Sequence, residues 1–331
     1  MNARHESVPL PGLAEVQAAA GRLAGVARRT PLLASTPLDE AMGGRLLFKV
    51  ESLQRTGSFK IRGAYNRLVQ LDAGERRAGV VAFSSGNHAQ GVAASAKLLG
   101  IPATIVMPSD APRIKLENTR ALGADVILYD RVRESREQIA TKLASERGAT
   151  LVRAFDDPHI IAGQGTVGLE LMQQAAELGL TPDQVLIPCS GGGLVSGSAI
   201  AIRALAPATA VYGVEPEAFD DTRRSLAAGT LLRNPPEARS ICDALQSSPP
   251  GQLTFAINRE LLAGILTVSD AEVETAMARA FRDLRLVVEP GGAVALAATF
   301  AGKLTIAGRT TVIVLSGGNV DAATFITALS R

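Results

Sequence analysis

Short apolar runs separated by stretches of helix length recur along nearly the whole chain. Runs this brief, rich in Val, Ile and Leu, read as strands buried on both faces, while the segments between them space their apolar residues as helices do. The strands expected are Leu46–Val50, Val80–Ser84, Ala103–Met107, Val126–Tyr129, Leu151–Arg153, Val185–Pro188, Val211–Val214, Ile265–Val268 and Thr311–Leu315. Strand and helix in alternation predict an α/β fold with open, twisted, mainly parallel sheets flanked by helices. From Gly79 to about Ala154 the alternation forms a compact unit: VVAFS, a helix from Asn87 to Leu99, PATIVM, a helix from Pro112 to Leu122, DVILYD, and a helix from Glu134 to Arg147. This small lobe (79–154) is expected to be inserted in a larger one built from 1–78 and 155–331. One long irregular stretch, about Asn234 to Gly251, is rich in proline and serine.

A chain of 331 residues, 47% of them hydrophobic, has material for two cores. Its formal net charge of +2 is spread without a basic block, which argues against nucleic acid as the main partner. No apolar run is long enough to span a bilayer, and the N-terminal MNARHESVPLPG lacks the features of an export signal. Cys189 and Cys242 cannot make a disulfide framework, and the three histidines lie far apart without metal-ligand spacing. A reducing cytoplasm is the expected compartment.

Ligands of open parallel sheets bind beyond the carboxyl ends of the strands. Three turns rich in glycine and hydroxyls fall at such ends: Ser85-Gly86-Asn87-His88, Ser190-Gly191-Gly192-Gly193-Leu194 and Ser316-Gly317-Gly318-Asn319. In the second, consecutive glycines let several N–H groups point at one spot, and the following helix adds its positive end, a site suited to a phosphate. The turn is not a Walker A loop, since no Gly-Lys-Ser/Thr follows, and it lacks GxGxxG spacing. A tight strand-to-helix turn would use the same residues. The other candidate is Lys60, in SLQRTGSFKIRGAYNRL (52–68), which follows a Gly-Ser turn and a phenylalanine and opens a helix-like run. The chain has only six lysines, so lysine is not its general surface charge. A phosphate nest and an isolated amine at converging strand ends suggest a phosphorylated carbonyl cofactor, with pyridoxal phosphate the fitting one.

The motifs SFKIRGA around Lys60, SSGNHAQG at 84–91, AGQGT at 162–166, SGGGL at 190–194, EPGGA at 289–293 and LSGGNVD at 315–321 occur in this order from about Arg29 to Asp321. In order and spacing they resemble the fold type II family of pyridoxal phosphate enzymes, and within it the serine/threonine dehydratases (ammonia-lyases) and serine racemases. The resemblance implies a tryptophan synthase β-like fold and an α,β-elimination that converts L-threonine or L-serine to a 2-oxo acid and ammonia. It implies that Lys60 joins the cofactor's aldehyde carbon and removes the substrate Cα proton. Phe59 would pack against the cofactor, Asn87 meet its 3-hydroxyl, Ser190, Gly191, Gly192, Gly193 and Leu194 hold its phosphate, and Ser316 meet the pyridine nitrogen. Ser84, Ser85, Gly86, Asn87 and His88 would wrap the substrate carboxylate.

Ser85 occupies the place of a serine that faces the lysine in similar racemases and hydroxyaspartate dehydratases, where it is a second proton donor. Arg136 falls where similar racemases reach a second carboxylate. Together they motivate serine racemase or 3-hydroxyaspartate dehydratase as alternatives, against the plain readings of a helix cap and a solvated arginine. Glu215 and Asp221, with the Phe219 carbonyl, match a divalent-cation site of the family, suited to Mg²⁺ or Ca²⁺. A homodimer through the larger lobe, acting on a small amino acid, is also implied.

Two positions depart from the family's pattern: Cys242-Asp243-Ala244 stands where relatives often read Ala-Asp-Gly near the cofactor edge, and Phe155 where some racemases have asparagine. Both leave the substrate open. Cys189 and Cys242 read as small buried side chains, and His159 as a helix-start residue. An allosteric C-terminal domain is not expected, because the chain stops soon after LSGGNVD. A nucleotide-binding module, with Lys60 as surface charge, and a catalytically silent amino-acid sensor are the readings from other classes.

Overall fold

The computed structural model describes residues 9–84, 86–111, 113–130 and 132–330, leaving the side chains of 113–115 undescribed. Its strands are β1 (Leu32–Ala34), β2 (Arg45–Val50), β3 (Val80–Phe83), β4 (Ala103–Pro108), β5 (Asp125–Tyr129), β6 (Thr150–Leu151), β7 (Gln184–Pro188), β8 (Ala210–Pro216), β9 (Gly264–Val268) and β10 (Thr310–Leu315). They form a six-stranded sheet in the order β1-β2-β10-β7-β8-β9 and a four-stranded sheet in the order β5-β4-β3-β6. Only the β1–β2 pair is antiparallel among these described strands. This is the α/β architecture that the apolar runs predict.

Each expected strand is present, with ends moved by one or two residues. Strand β1 is an addition to the expected set, since three residues after a proline are too few to show a period. The run expected at Leu151–Arg153 pairs instead at Thr150–Leu151, although Val152 N still donates to Val81 O at 2.8 Å. The helix expected from Glu134 begins at Arg136, because Ser135 caps it by accepting from Gln138 N. Pro112 lies outside the described residues, and the helix after it covers Arg113–Ala121.

Helices cover both faces of the large sheet, which is why its strands read as continuous apolar runs. Leu46, Phe48, Val50, Ile313 and Leu315 enter one core, whereas Leu47, Val312 and Val314 enter the core on the opposite face. The small sheet has its own core around Val80, Ala82, Ile105 and Met107, and this core also takes Ala64, Leu68 and Leu71 from outside the 79–154 segment. The helix Lys60–Leu68 therefore belongs to two units. Its start is tied to the large sheet through a bridge between Ser58 and Gly317 and a 3.2 Å bond from Phe59 N to Ser316 O, while its body packs on the small one.

A buried ion cluster locks that helix in place. Arg62, only 2% exposed, donates from Nε and Nη2 to the two oxygens of Glu51, each at 2.8 Å, and from Nη1 to Glu170 at 2.9 Å. Lys49 Nζ donates to the other Glu170 oxygen at 2.6 Å. Burial alone would raise the Glu51 carboxyl, but the Arg62 guanidinium and Lys49 outweigh it and hold the group below the ordinary carboxylate range. Two cations and two anions close the cluster, so no charge is stranded.

Candidate active site

The carboxyl ends of β3, β5, β7 and β10 converge on one cavity of about 580 Å³. Phe59, Lys60, Ser84, Gly86, Asn87, His88 and Arg136 line it, together with Ser190, Gly191, Gly192, Gly193, Leu194 and Ser316. These residues come from separate stretches of sequence, brought together by the parallel topology. Ser85 lies outside the described residues.

Lys60 is half-buried at the first turn of its helix, with Nζ donating to Ala154 O at 3.2 Å and standing 5.0 Å from the centre of the Phe59 ring. Burial pushes the amine down to about 8, a shift that the Glu289 carboxylate opposes. The neutral, nucleophilic form is thus within reach near neutral pH.

Also in the cavity wall, Gly192 has φ +95°, a left-handed conformation that a side chain rarely tolerates, and the helix Gly193–Leu205 starts directly after it. The Gly191 carbonyl accepts from Thr254 Oγ1 at 2.7 Å. Across a trans peptide the next N–H points the opposite way, so Gly192 N–H turns from Thr254. The first N–H groups of the helix have no acceptor within it. Such a turn fits a phosphate dianion. The Phe155 ring packs against Gly191 so closely that a side chain at 191 would collide with it.

His88 is 3% exposed, and its Nε2 lies 3.2 Å from Val152 O, so Nε2 carries the hydrogen and Nδ1 is left without a partner. Burial, with the nearby Lys60 charge, pushes the imidazole down to about 3. The ring is neutral and brings no charge to the cavity wall that His88 helps to form. Asn87 Nδ2 donates to Glu289 Oε1 at 2.6 Å. Arg136, at the start of its helix, stacks its guanidinium 5.7 Å from the Phe83 ring.

Phe155, Asp243 and Ala244, which the resemblance marks as departures bearing on the substrate, line the cavity, and the lining residues that the sequence reading does not single out are Tyr129, Ala154, Pro188, Leu245 to Ser247 and Glu289. Glu289 lies in plain view in EPGGA, but only the fold shows that it touches Asn87. Leu245 to Ser247 sit in the irregular stretch, where no periodicity could place them.

Glu215, Phe219 and Asp221 stand behind the glycine turn and do not line the cavity. Glu215 is fully buried, accepts from Thr222 N at 3.2 Å and Arg223 N at 3.0 Å, and is pushed up by burial to about 8. Asp221 is 1% exposed with neither carboxylate oxygen hydrogen-bonded. Burial raises its carboxyl, and nearby Ser248 and Asn234 oppose this without reaching bonding geometry. Two buried carboxylates with little countercharge fit a hard cation. No group of three or more His, Cys, Asp or Glu forms a metal cluster among the described residues, so a cation here would need a backbone carbonyl as well.

The lowered Lys60 value gives a pH dependence that needs no cofactor. Acylation of Lys60 by a dilute anhydride, followed by peptide mass mapping, is expected to rise through a midpoint near pH 8. A midpoint near the ordinary lysine value of 10.5 would contradict the burial argument.

The family model described as "Pyridoxal-phosphate dependent enzyme" matches residues 23–317. The L-threo-3-hydroxyaspartate ammonia-lyase of Pseudomonas sp is 47% identical over 315 residues, covering 95% of this chain and 97% of that one. The serine racemase of Schizosaccharomyces pombe is 40% identical, covering 98% and 99%. The crystal structure of a T.th. threonine deaminase, 47% identical, superposes with a TM-score of 0.88 over 94% of this chain and 99% of that one. With the cavity's amine and anion-binding turn on the same fold, the chain belongs to the pyridoxal-phosphate dependent enzyme family, in its fold type II branch.

Proposed function

We propose that this protein is an ammonia-lyase that eliminates water from a 3-hydroxy amino acid, the released enamine then taking up water to give a 2-oxo acid and ammonia, with 3-hydroxyaspartate as the favoured substrate. The observation that carries this reading is the placement of Arg136 and Lys60 in the walls of one cavity. L-Threonine and L-serine belong to the same reaction class. A guanidinium beside Phe83 favours a substrate with a second carboxylate, because a fixed planar cation pairs with carboxylates directionally. Relatives named for 3-hydroxyaspartate at 47% and 43% identity support the same preference.

Pyridoxal phosphate, when bound, supplies the electron sink at the substrate Cα. The protein's part is to hold and to move protons. Lys60, with its lowered affinity for a proton, takes the Cα hydrogen. The turn 190–194 grips the phosphate through its N–H groups. Phe59 covers the ring, Asn87 faces its 3-hydroxyl, and Ser316 faces the pyridine nitrogen. Ser84, Ser85, Gly86, Asn87 and His88 hold the α-carboxylate by N–H groups and hydroxyls, since the neutral His88 ring adds no charge. Ser85 is assigned a proton on the opposite face, which would give serine racemisation as a side activity and accords with the racemase relative.

In this reading 79–154 is a small lobe that closes over substrate on a larger lobe of 1–78 and 155–331. Mg²⁺ or Ca²⁺ at Glu215, Asp221 and the Phe219 carbonyl would neutralise buried charge and steady the glycine turn, through the 3.2 Å bond from Thr222 Oγ1 to Ser190 O. A homodimer and a cytoplasmic location complete the reading. The two buried free cysteines accord with a reducing compartment.

Oxo-acid release by purified protein from L-threo-3-hydroxyaspartate, L-threonine and L-serine tests the substrate assignment, with chiral analysis of residual serine for racemisation. Arg136→Leu should lower kcat/KM for hydroxyaspartate by roughly tenfold to hundredfold, the worth of a lost charge-assisted bond, and that for serine by less than about threefold. Equal losses on both would remove Arg136 from recognition, and no oxo acid from any of the three would defeat the assignment. The cation is tested separately: Mg²⁺ at about a hundred times its Kd should stabilise the protein by about 2.7 kcal/mol, and Asp221→Asn should abolish the effect. Identical melting in Mg²⁺ and in chelator would contradict a site there.

A further inference from the structure

The sharpest unassigned feature of the cavity wall is a chain of amides behind Asn87. Asn319, in the turn after β10, donates from Nδ2 to Asn87 Oδ1 at 2.7 Å and to Thr56 O at 2.8 Å. Asn87 in turn donates from its own Nδ2 to Glu289 Oε1 at 2.6 Å. Both Nδ2 hydrogens of Asn319 are used, so its orientation is fixed. Asn87 has its oxygen committed to Asn319 and one hydrogen committed to Glu289, which leaves one N–H to present to the cavity that it lines. The surroundings are shaped around this chain. Gly57, at φ +72°, has no room for a side chain, because a Cβ there would collide with Asn319 Oδ1, and a Cβ at Gly317 would collide with Glu289 Oε1.

We propose that Asn319 is a positioning residue for the reaction: by donating to Asn87 Oδ1, it fixes the Asn87 amide so that its free N–H, not its oxygen, faces the cofactor's ring hydroxyl. This rests on the reading under which Asn87 meets that hydroxyl. A flipped amide would set a carbonyl oxygen against the ring oxygen and favour its protonated form. An N–H donor favours the ionised form, which absorbs at longer wavelength. The chain also joins the two sheets: Asn87 starts the helix Asn87–Leu99 packed on the small sheet, whereas Glu289 and Asn319 flank the large one. Correct seating of the small sheet and correct presentation of the donor are thus one event.

The test uses holoenzyme carrying Asn319→Asp, which keeps the shape but turns the donor into an acceptor that repels Asn87 Oδ1, and Asn319→Ser as a second variant. The expected result is a fall of at least about twofold in the ratio of the visible to the near-ultraviolet cofactor band, with kcat lowered roughly tenfold and KM changed far less. Unchanged bands in either folded variant would overturn the proposal, even with a lower Tm, since a purely structural role in the Thr56–Gly57 turn moves stability and not the ring hydroxyl. Failure of both variants to fold would assign the side chain to folding and overturn it likewise. A wild-type protein that shows no cofactor band at all would instead defeat the cofactor reading, so the two failures are distinct.

Discussion

Arg62 is held between Glu51 and Glu170 in the interior, and this arrangement fixes where the neighbouring Lys60 amine can stand. A guanidinium with both forks engaged tolerates little displacement, and breaking such a buried pair costs about 3–5 kcal/mol because a charge is left stranded. Two residues upstream, Lys60 is carried to the seam between the sheets. The bridge from Ser58 to Gly317 holds the other side of the same turn. A lysine on a loop would spread its amine over many rotamers; here the backbone is fixed on one side by that bridge and on the other by the buried ion cluster.

The electrostatics of the cavity follow from that placement. Removing the amine from water lowers its affinity for a proton, and Glu289 keeps the shift moderate. His88, deeper and next to the same positive charge, loses its own proton altogether near neutrality. The amine is therefore the basic group closest to reaction, while the anion-binding turn meets negative charge with main-chain N–H groups that do not titrate. Arg136 adds the formal cation on the small-sheet side. Division of labour between a tunable amine and fixed dipoles suits a site that must both bind a dianion and move a proton.

Much of this was legible in the sequence, for identifiable reasons. Strands buried on both faces leave unbroken apolar runs, so Val185–Pro188 and Thr311–Leu315 were visible to within a residue. Strand ends in a parallel sheet point one way, so the sequence alone groups the turns after them in one cleft. Contacts between remote segments were not legible. Nothing in EPGGA says that Glu289 reaches Asn87, nothing in SFKIRGA says that Arg62 is buried, and nothing in RAFDDP says that the Phe155 ring lies on Gly191. Each depends on tertiary packing between separate elements, and no local period records the partner. Leu245 to Ser247 escaped for the opposite reason, lying in an irregular segment with no period at all.

The central claim is that the Lys60 amine is the covalent seat of the cofactor. Borohydride reduction of the purified holoprotein, followed by proteolysis and peptide mass spectrometry, tests it most directly. The account predicts one pyridoxyl-phosphate adduct, on the peptide containing Lys60 and on that residue. An adduct on any of the other five lysines, or none, would contradict it.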